Sequence, residues 1–212
     1  MLNPSPRPLR VRAGQDSFFQ AGEQGPLWRV VEGAVRLDCE DGSSRLPVQL
    51  ALPGDLVGVE VLCDQPYQFT ARAFTDCRLE PVTVASEAQR QALLRQALCQ
   101  QQMRSHDMAT LRTGSVLSRL ASLLRLMGLP WQGAHMVNED RADALRASLP
   151  ALRELAQMVD AKSETVCRAL AQLLPPRSRK SGPARINPLP AMAAPRMGMS
   201  WMPAAVAQGA LA

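Results

Sequence analysis

The 212-residue chain has little histidine: His106 and His135, both outside its strand-like part, are all it carries. Two such residues cannot build a histidine metal centre. No Ser/His/Asp or Cys/His arrangement and no metal-ligand spacing stands out, so an enzyme such as a catalytic cupin-like barrel is a poor reading. Cysteine is scarce and unpatterned too. Cys39, Cys63, Cys77, Cys99 and Cys167 are odd in number, widely spaced and without a CxxC pair. Neither a disulfide framework nor a zinc site is expected, and a reducing compartment fits. No run of 18 apolar residues is present for a membrane span. The opening MLNPSPRPLRVRAG lacks the continuous apolar stretch of a secretion signal, so a cytoplasmic protein is expected. With 46% hydrophobic and 20% charged residues, collagen-like and wholly disordered chains are excluded as well.

The net charge of +5 is modest, yet it is unevenly spread. Residues 1–88 carry 8 basic and 12 acidic groups, residues 89–136 carry 6 and 1, and residues 137–212 carry 10 and 6. Between Lys162 and Arg185 six basic side chains face Glu164 alone. A polyanionic partner is the first expectation, because phosphate contacts supply most of nonspecific nucleic-acid binding.

From Ser17 to about Val84 short apolar runs alternate with turn signals: Glu32-Gly33, Asp41-Gly42 and Pro53-Gly54-Asp55. This spacing predicts an antiparallel β barrel or roll. Phe69, Ala71, Ala73, Thr75, Cys77 and Leu79 continue it in strand-like alternation. From Ser86 to Met127 there is one glycine and no proline, which predicts helix. Leu94, Leu98, Gln101, Ser105, Met108 and Arg112 form a partly apolar seam, favouring a dimer contact over a helix that merely covers its own barrel. Gly114-Ser115 should break this helix, with Val116, Leu120, Leu123, Leu124 and Met127 lining one face of a second.

Beyond a Gly/Pro-containing linker, Leu145, Ala147 and Leu149 alternate as a short strand. Two short helices follow, Pro150 to about Val159 and Ser163 to Leu174, joined by Asp160-Ala161-Lys162. Three residues allow only a tight turn, in which Asp tolerates a left-handed conformation, so a helix-turn-helix is expected. Asp160 or Ser163 is expected to cap the second helix. Glu164 and Arg168, four apart, share the helix face opposite Val166, Ala169, Leu170 and Leu173. Such a pair reads bases: Glu accepts from the cytosine amino group and Arg donates twice to guanine. Without DNA the two would form an i,i+4 salt bridge. Lys162, Thr165, Arg177, Arg179, Lys180 and Arg185 are the expected phosphate contacts, and residues 177–186 hold a Ser-Gly-Pro turn fit for a stubby wing. From Asn187 the Pro, Ala, Met and Gly composition predicts a poorly ordered tail.

The motifs Phe19-x-x-Gly22, Leu27 to Leu37, Pro53-Gly54-Asp55-Leu56-Val57-Gly58, Arg119-Leu120-Ala121, Glu154 to Val159 and Glu164-Thr165-Val166-x-Arg168 together resemble the CRP/FNR family of bacterial transcription regulators. The resemblance covers residues 17 to 186. It implies an α+β chain: an N-terminal extension (1–16), a double-stranded β-roll sensor domain of the cyclic-nucleotide-binding type (17–85), a dimerisation helix (86–113), a winged helix-turn-helix (114–186) and a tail (187–212). The implied function is that of a homodimer binding a palindromic site on double-stranded DNA, with RNA polymerase a further partner if it activates. Glu164 and Arg168 match the family's base-reading pair, and Ser163 stands where the cyclic-AMP branch has another base-reading Arg.

Departures from the family bear on the effector. The Arg-Ser pair that holds the cyclic phosphate in the nucleotide-binding branch is replaced by Tyr67 and Gln68, so cyclic AMP is not expected to bind in the usual way. Glu60 lies one residue out of step with that branch's Glu. Arg72 is the basic residue of this stretch that could point into the roll, which makes Glu60, Tyr67, Gln68 and Arg72 the candidate effector pocket. The first 38 residues hold no cysteine, so the iron–sulfur centre of the oxygen-sensing branch cannot be built. No cofactor is expected, and the effector stays unnamed. The rival reading is a β-roll sensor or interaction module whose winged domain no longer reads DNA.

Overall fold

A computed structural model describes residues 7–14, 17–42, 44–129 and 145–174. Its first part consists of two antiparallel sheets. The strands are β1 (Leu9–Val11), β2 (Leu27–Glu32), β3 (Val35–Asp41), β4 (Ser44–Ala51), β5 (Leu56–Val57), β6 (Thr70–Ala73) and β7 (Cys77–Val82). One sheet has the order β1-β7-β2-β5 and the other β4-β3-β6. Alternation along the strands decides what fills the space between them. Val30, Val35, Leu37, Ala71, Ala73 and Leu79 point inward to a common core with Phe19 and Tyr67. The intervening residues Arg36, Asp38, Thr70 and Arg72 pair across β3 and β6 on the opposite face.

The turns fall where glycine permits them. Gly33, at φ 78°, sits so close to the chain that an added Cβ would lie 2.1 Å from the Asp76 carbonyl oxygen. Between β4 and β5, Gly54 takes φ 96°. There Asp55 closes the turn by accepting from the Leu52 N–H at 2.8 Å.

Helix α1 (Glu87–Thr110) begins at Ser86, whose Oγ accepts from the Gln89 N–H at 3.2 Å, while Gln89 Oε1 accepts from the Ala85 N–H at 2.8 Å. Leu93, Gln100 and Met108 are the buried residues of this long helix. It is attached to the roll by an apolar cluster, in which Leu93, Leu94 and Ala97 meet Leu27, Leu56 and Leu62, and by polar bonds. The Gln100 carboxamide accepts from the Leu56 N–H at 2.7 Å and donates to the Leu56 carbonyl at 2.8 Å, completing the open side of edge strand β5. Arg104 Nε donates to Asp55 at 2.8 Å.

Gly114, at φ 89°, ends the run, and Ser115 caps α2 (Val116–Leu126). The last two helices are α3 (Leu152–Met158) and α4 (Ser163–Leu173). Leu120, Leu123 and Leu124 of α2, Leu155 and Met158 of α3 and Val166 and Leu173 of α4 form one cluster, which also takes in Ala34, Leu50, Leu52 and Phe74 from the roll. Roll and helices therefore share a core.

Several expectations are corrected. Residues 145–148 are helical, not a strand; three alternating positions cannot separate the two periods, and Ala and Arg favour helix. The alternation over residues 69–84 is interrupted at Phe74–Asp76, a bend between β6 and β7. It turns Phe74 into the helix-side core, where it is 1% exposed. Of the seam on α1, Met108 is buried against its own chain, whereas Leu98 is 63% exposed. The helix thus covers its own roll and still presents apolar surface. Helix α4 starts at Lys162 without any side-chain cap, so neither Asp160 nor Ser163 plays that part. Among the described residues no helix is long and apolar enough to cross a membrane.

Candidate functional site

The α3–α4 junction is built by a helix stop. Asp160 takes φ 46°, the Ala161 N–H reaches the Ala156 carbonyl at 2.9 Å, and the Asp160 N–H reaches Gln157 at 3.4 Å. These two bonds around a left-handed residue make a Schellman motif. Arg119, from α2, locks it by donating to the carbonyls of Val159 at 2.6 Å and Asp160 at 3.2 Å. Val166, Ala169 and Leu173 are the buried residues of α4. That orientation leaves Ser163, Glu164, Thr165, Cys167 and Arg168 exposed along the other side, with Lys162 exposed at its start. Glu164 and Arg168 do not form the expected salt bridge: among the described residues neither enters an ion pair. Both are free to meet an external partner.

Arg36 links this helical unit to the roll. It donates to Gln157 of α3 at 2.8 Å and is paired with Asp38, whose side chain is completely buried. Sequence reasoning missed Arg119, Gln100 and the Arg36–Gln157 contact, since each joins residues tens of positions apart. The only local sign was the mid-strand alternation of Arg36 and Asp38. Arg177, Arg179, Lys180, Arg185 and the rest of the wing, the tail and His135 lie outside the described residues.

A second feature is a cleft of about 510 Å³ between the roll and α1. One wall is Leu94, Ala97 and Leu98 of α1, and the other runs along Gly58–Glu60, which leads into a short 3-10 helix (Val59–Cys63). Glu60 and Gln68 both line it, and Glu60 Oε1 accepts from the Gln68 N–H at 3.3 Å. Tyr67 lies behind this wall. Its ring stacks on Phe19 with centroids 4.0 Å apart, and its hydroxyl donates to the Pro26 carbonyl at 2.6 Å. Burial, with Glu60 and Glu23 nearby, pushes this phenol up to about 12. Arg72 does not point into the roll. On the outer face it is ion-paired with Asp38 at 3.6 Å and Glu40 at 3.8 Å, held there by the register that places it opposite Arg36. The cleft therefore unites two of the four expected pocket residues.

Among the described residues no three His, Cys, Asp or Glu side chains are placed to hold a metal ion. The fold family of the roll implies a cyclic nucleotide, and the residues present do not fit one: among the described residues no Arg, Lys or His lines the cleft, and the one carboxylate there, Glu60, would repel the phosphate.

The profile of the cyclic nucleotide-binding domain matches residues 8–96. Over 188 residues the chain is 32% identical to the transcriptional regulator SdrP of Thermus thermophilus, covering 84% of this chain and 88% of that one. Among solved structures, a CRP-family transcriptional regulator from Thermus thermophilus superposes with a TM-score of 0.58 at 24% identity, over 78% of this chain and 83% of the other. A CRP/FNR-family regulator of the same organism gives 0.50 at 28% identity, over 77% and 83%. The double-sheet roll, the long helix packed on it and this agreement along most of the chain lead to one statement of kinship: the protein belongs to the CRP/FNR family of transcription regulators.

Proposed function

We propose that the protein is a cytoplasmic, non-catalytic, homodimeric regulator that reads a palindromic site on double-stranded DNA with α4 as its recognition helix. The observation that carries this reading is the unpaired, exposed Glu164 and Arg168 on a helix whose other face is anchored by Val166, Ala169 and Leu173. Exposed beside them, Ser163 is the third base-reading candidate, and Lys162 and Thr165 stand at the helix start where phosphates pass. The wing residues Arg177, Arg179, Lys180 and Arg185 are assigned to phosphates on their charge. Exposed Leu98 on α1 supports a second copy at that helix, which would set two recognition helices about one DNA turn apart. If the protein activates, RNA polymerase is a partner.

The test is selection of bound sites from fragmented genomic DNA, followed by affinity measurement on the recovered site. Glu164→Ala and Arg168→Ala should each cost about 1–3 kcal/mol and relax preference at one base step. Lys162→Ala should weaken all sequences alike and flatten the salt dependence. Recovery of no palindrome, or unchanged base preference in both alanine variants, would sink the reading and favour a roll whose winged unit no longer reads DNA.

A further inference from the structure

We infer that the cleft between the roll and α1 is selective for an organic cation with an apolar body and excludes anions, cyclic nucleotides among them. The inference rests on reading the roll as the sensor of the proposed regulator, and it adds the chemistry of what is sensed. Two properties of the wall carry it. The first is charge: among the described residues the single carboxylate lining the space, Glu60, stands with the carboxamides of Gln49, Gln65, Gln68 and Gln101 and no cationic side chain.

Of the neighbouring arginines, Arg95 of α1 is exposed and does not line the cleft, while Arg72, Arg104, Arg90 and Arg29 are held elsewhere. Arg72 is paired with Asp38 and Glu40 on the outer face, and Arg104 with Asp55 and Asp107. Arg90 donates to the Leu62 carbonyl at 2.7 Å and lies near Asp64, while Arg29 donates to the Gly54 carbonyl at 2.8 Å. Releasing any of them to meet an anion would break a bond already made. A phosphate or carboxylate in the cleft would lose its hydration with no charged donor to replace it. An ammonium group would instead meet the Glu60 carboxylate, and the glutamine carbonyls could take its remaining protons.

The second property is the opposite wall, Leu94, Ala97 and Leu98, together with Phe69, which supplies apolar surface but no further charge. A pocket of about 510 Å³ is of the size that takes small organic molecules. An apolar body against α1 and a cationic head at Glu60 satisfy both walls at once.

The experiment uses the full-length protein and three probes that share one body and differ in the head: 4-phenylbutylamine, 4-phenylbutyramide and 4-phenylbutyrate, with cyclic AMP as a fourth. Calorimetric titration near neutral pH should rank amine above amide above carboxylate, with at least about tenfold between the first and last, since a charge-assisted bond is replaced by repulsion. Glu60→Gln, which keeps an oxygen for the Gln68 N–H, should lower amine affinity about tenfold to the level of the amide and leave amide binding unchanged. Ala97→Trp, filling the cleft, should abolish binding of all three, with circular dichroism confirming that both variants fold. Binding of cyclic AMP or phenylbutyrate as tight as the amine, amine binding indifferent to Glu60→Gln, or no binding of any probe overturns the inference. None of these results touches the DNA-selection test, which uses no ligand, so the two readings can fail separately.

Discussion

Replacing Gln100 by leucine tests what holds the long helix to the roll. Gln100 is 4% exposed, and its carboxamide makes two bonds with the backbone of one residue, Leu56, at 2.7 and 2.8 Å. Leucine fits the volume but leaves the Leu56 N–H and carbonyl buried without partners. Orphaning a buried polar group costs about 1–3 kcal/mol, and the better burial of leucine offsets part of the pair, so the expected loss is about 3 kcal/mol. For a chain of this size that corresponds to roughly 6–12 °C in melting temperature. Gln100→Glu sharpens the test. Its carboxylate can accept from the Leu56 N–H but opposes the Leu56 carbonyl, whereas the protonated acid can donate to it. The introduced group should thus have a folded-state pKa above its unfolded value. Its penalty should be full at neutral pH and shrink as the pH falls through that raised value. Urea unfolding of both variants at several pH values reads this directly. A Gln100→Leu variant within about 0.5 kcal/mol of the parent would refute the view that these two bonds matter.

At the α3–α4 turn, Asp160→Val places a β-branched side chain at φ 46° and should cost about 1–2 kcal/mol, while Asp160→Gly should be neutral or mildly stabilising; thermal melting separates them, and equal melting points would contradict the left-handed assignment. Lys162→Thr supplies the missing cap of α4 and should raise stability by about 0.5–1 kcal/mol while lowering DNA affinity at low salt. A gain in both would remove Lys162 from the phosphate contacts. Tyr67 is the chain's one tyrosine, so phenolate absorbance reports it alone. The midpoint should lie at about 12 in the folded protein and near 10 in urea. Because the folded-state value is the higher, this contribution to stability is complete below pH 10 and is lost as the pH rises towards 12. A folded-state midpoint near 10 would show the ring to be solvated.

What the sequence disclosed and what it withheld follow from the range of the interactions. Glycine-marked turns and the Asp160 turn depend on residues within a few positions of one another, and they can be read from local chemistry. The face of α4 is equally local, because a period of 3.6 fixes which side chains stand opposite Val166 and Ala169. Helix against strand at residues 145–149 failed for the converse reason: three alternating apolar positions fit both periods. Arg72 failed because alternation identifies two faces without saying which is the interior, and only pairing with β3 places it beside Arg36. Gln100 falls outside the seam of Leu94, Leu98, Gln101, Ser105, Met108 and Arg112. Its partner, Leu56, is 44 residues away, and no local pattern marks a carboxamide that substitutes for a missing strand.

These long-range bonds also define how a change in the cleft could reach α4. Gln100 and Leu56 both line the cleft and are bonded to each other, so a ligand that shifts α1 strains the edge of the roll. Further along the same helix Met108 and the adjoining Leu111 enter the core that holds α2, α3 and α4. On the outer face of the roll, Arg36 joins buried Asp38 to Gln157, one residue before the end of α3. Besides the core that Ala34, Leu50, Leu52 and Phe74 share with the helices, roll and helices are linked through α1 and through the Arg36–Gln157 bond to α3. Arg119 fixes the angle between α3 and α4 by holding the carbonyls at their junction. A rotation of α1 would have to break or carry along the Arg36–Gln157 bond before α4 could move. Gln157→Met keeps the side chain's bulk and removes that bond while leaving the buried Arg36–Asp38 pair intact, so it should lower the resistance to such motion. Coupling between cleft and helix, read as the change in DNA affinity on saturating the cleft with 4-phenylbutylamine, should differ between this variant and the parent; an identical change in both would place the coupling wholly in α1.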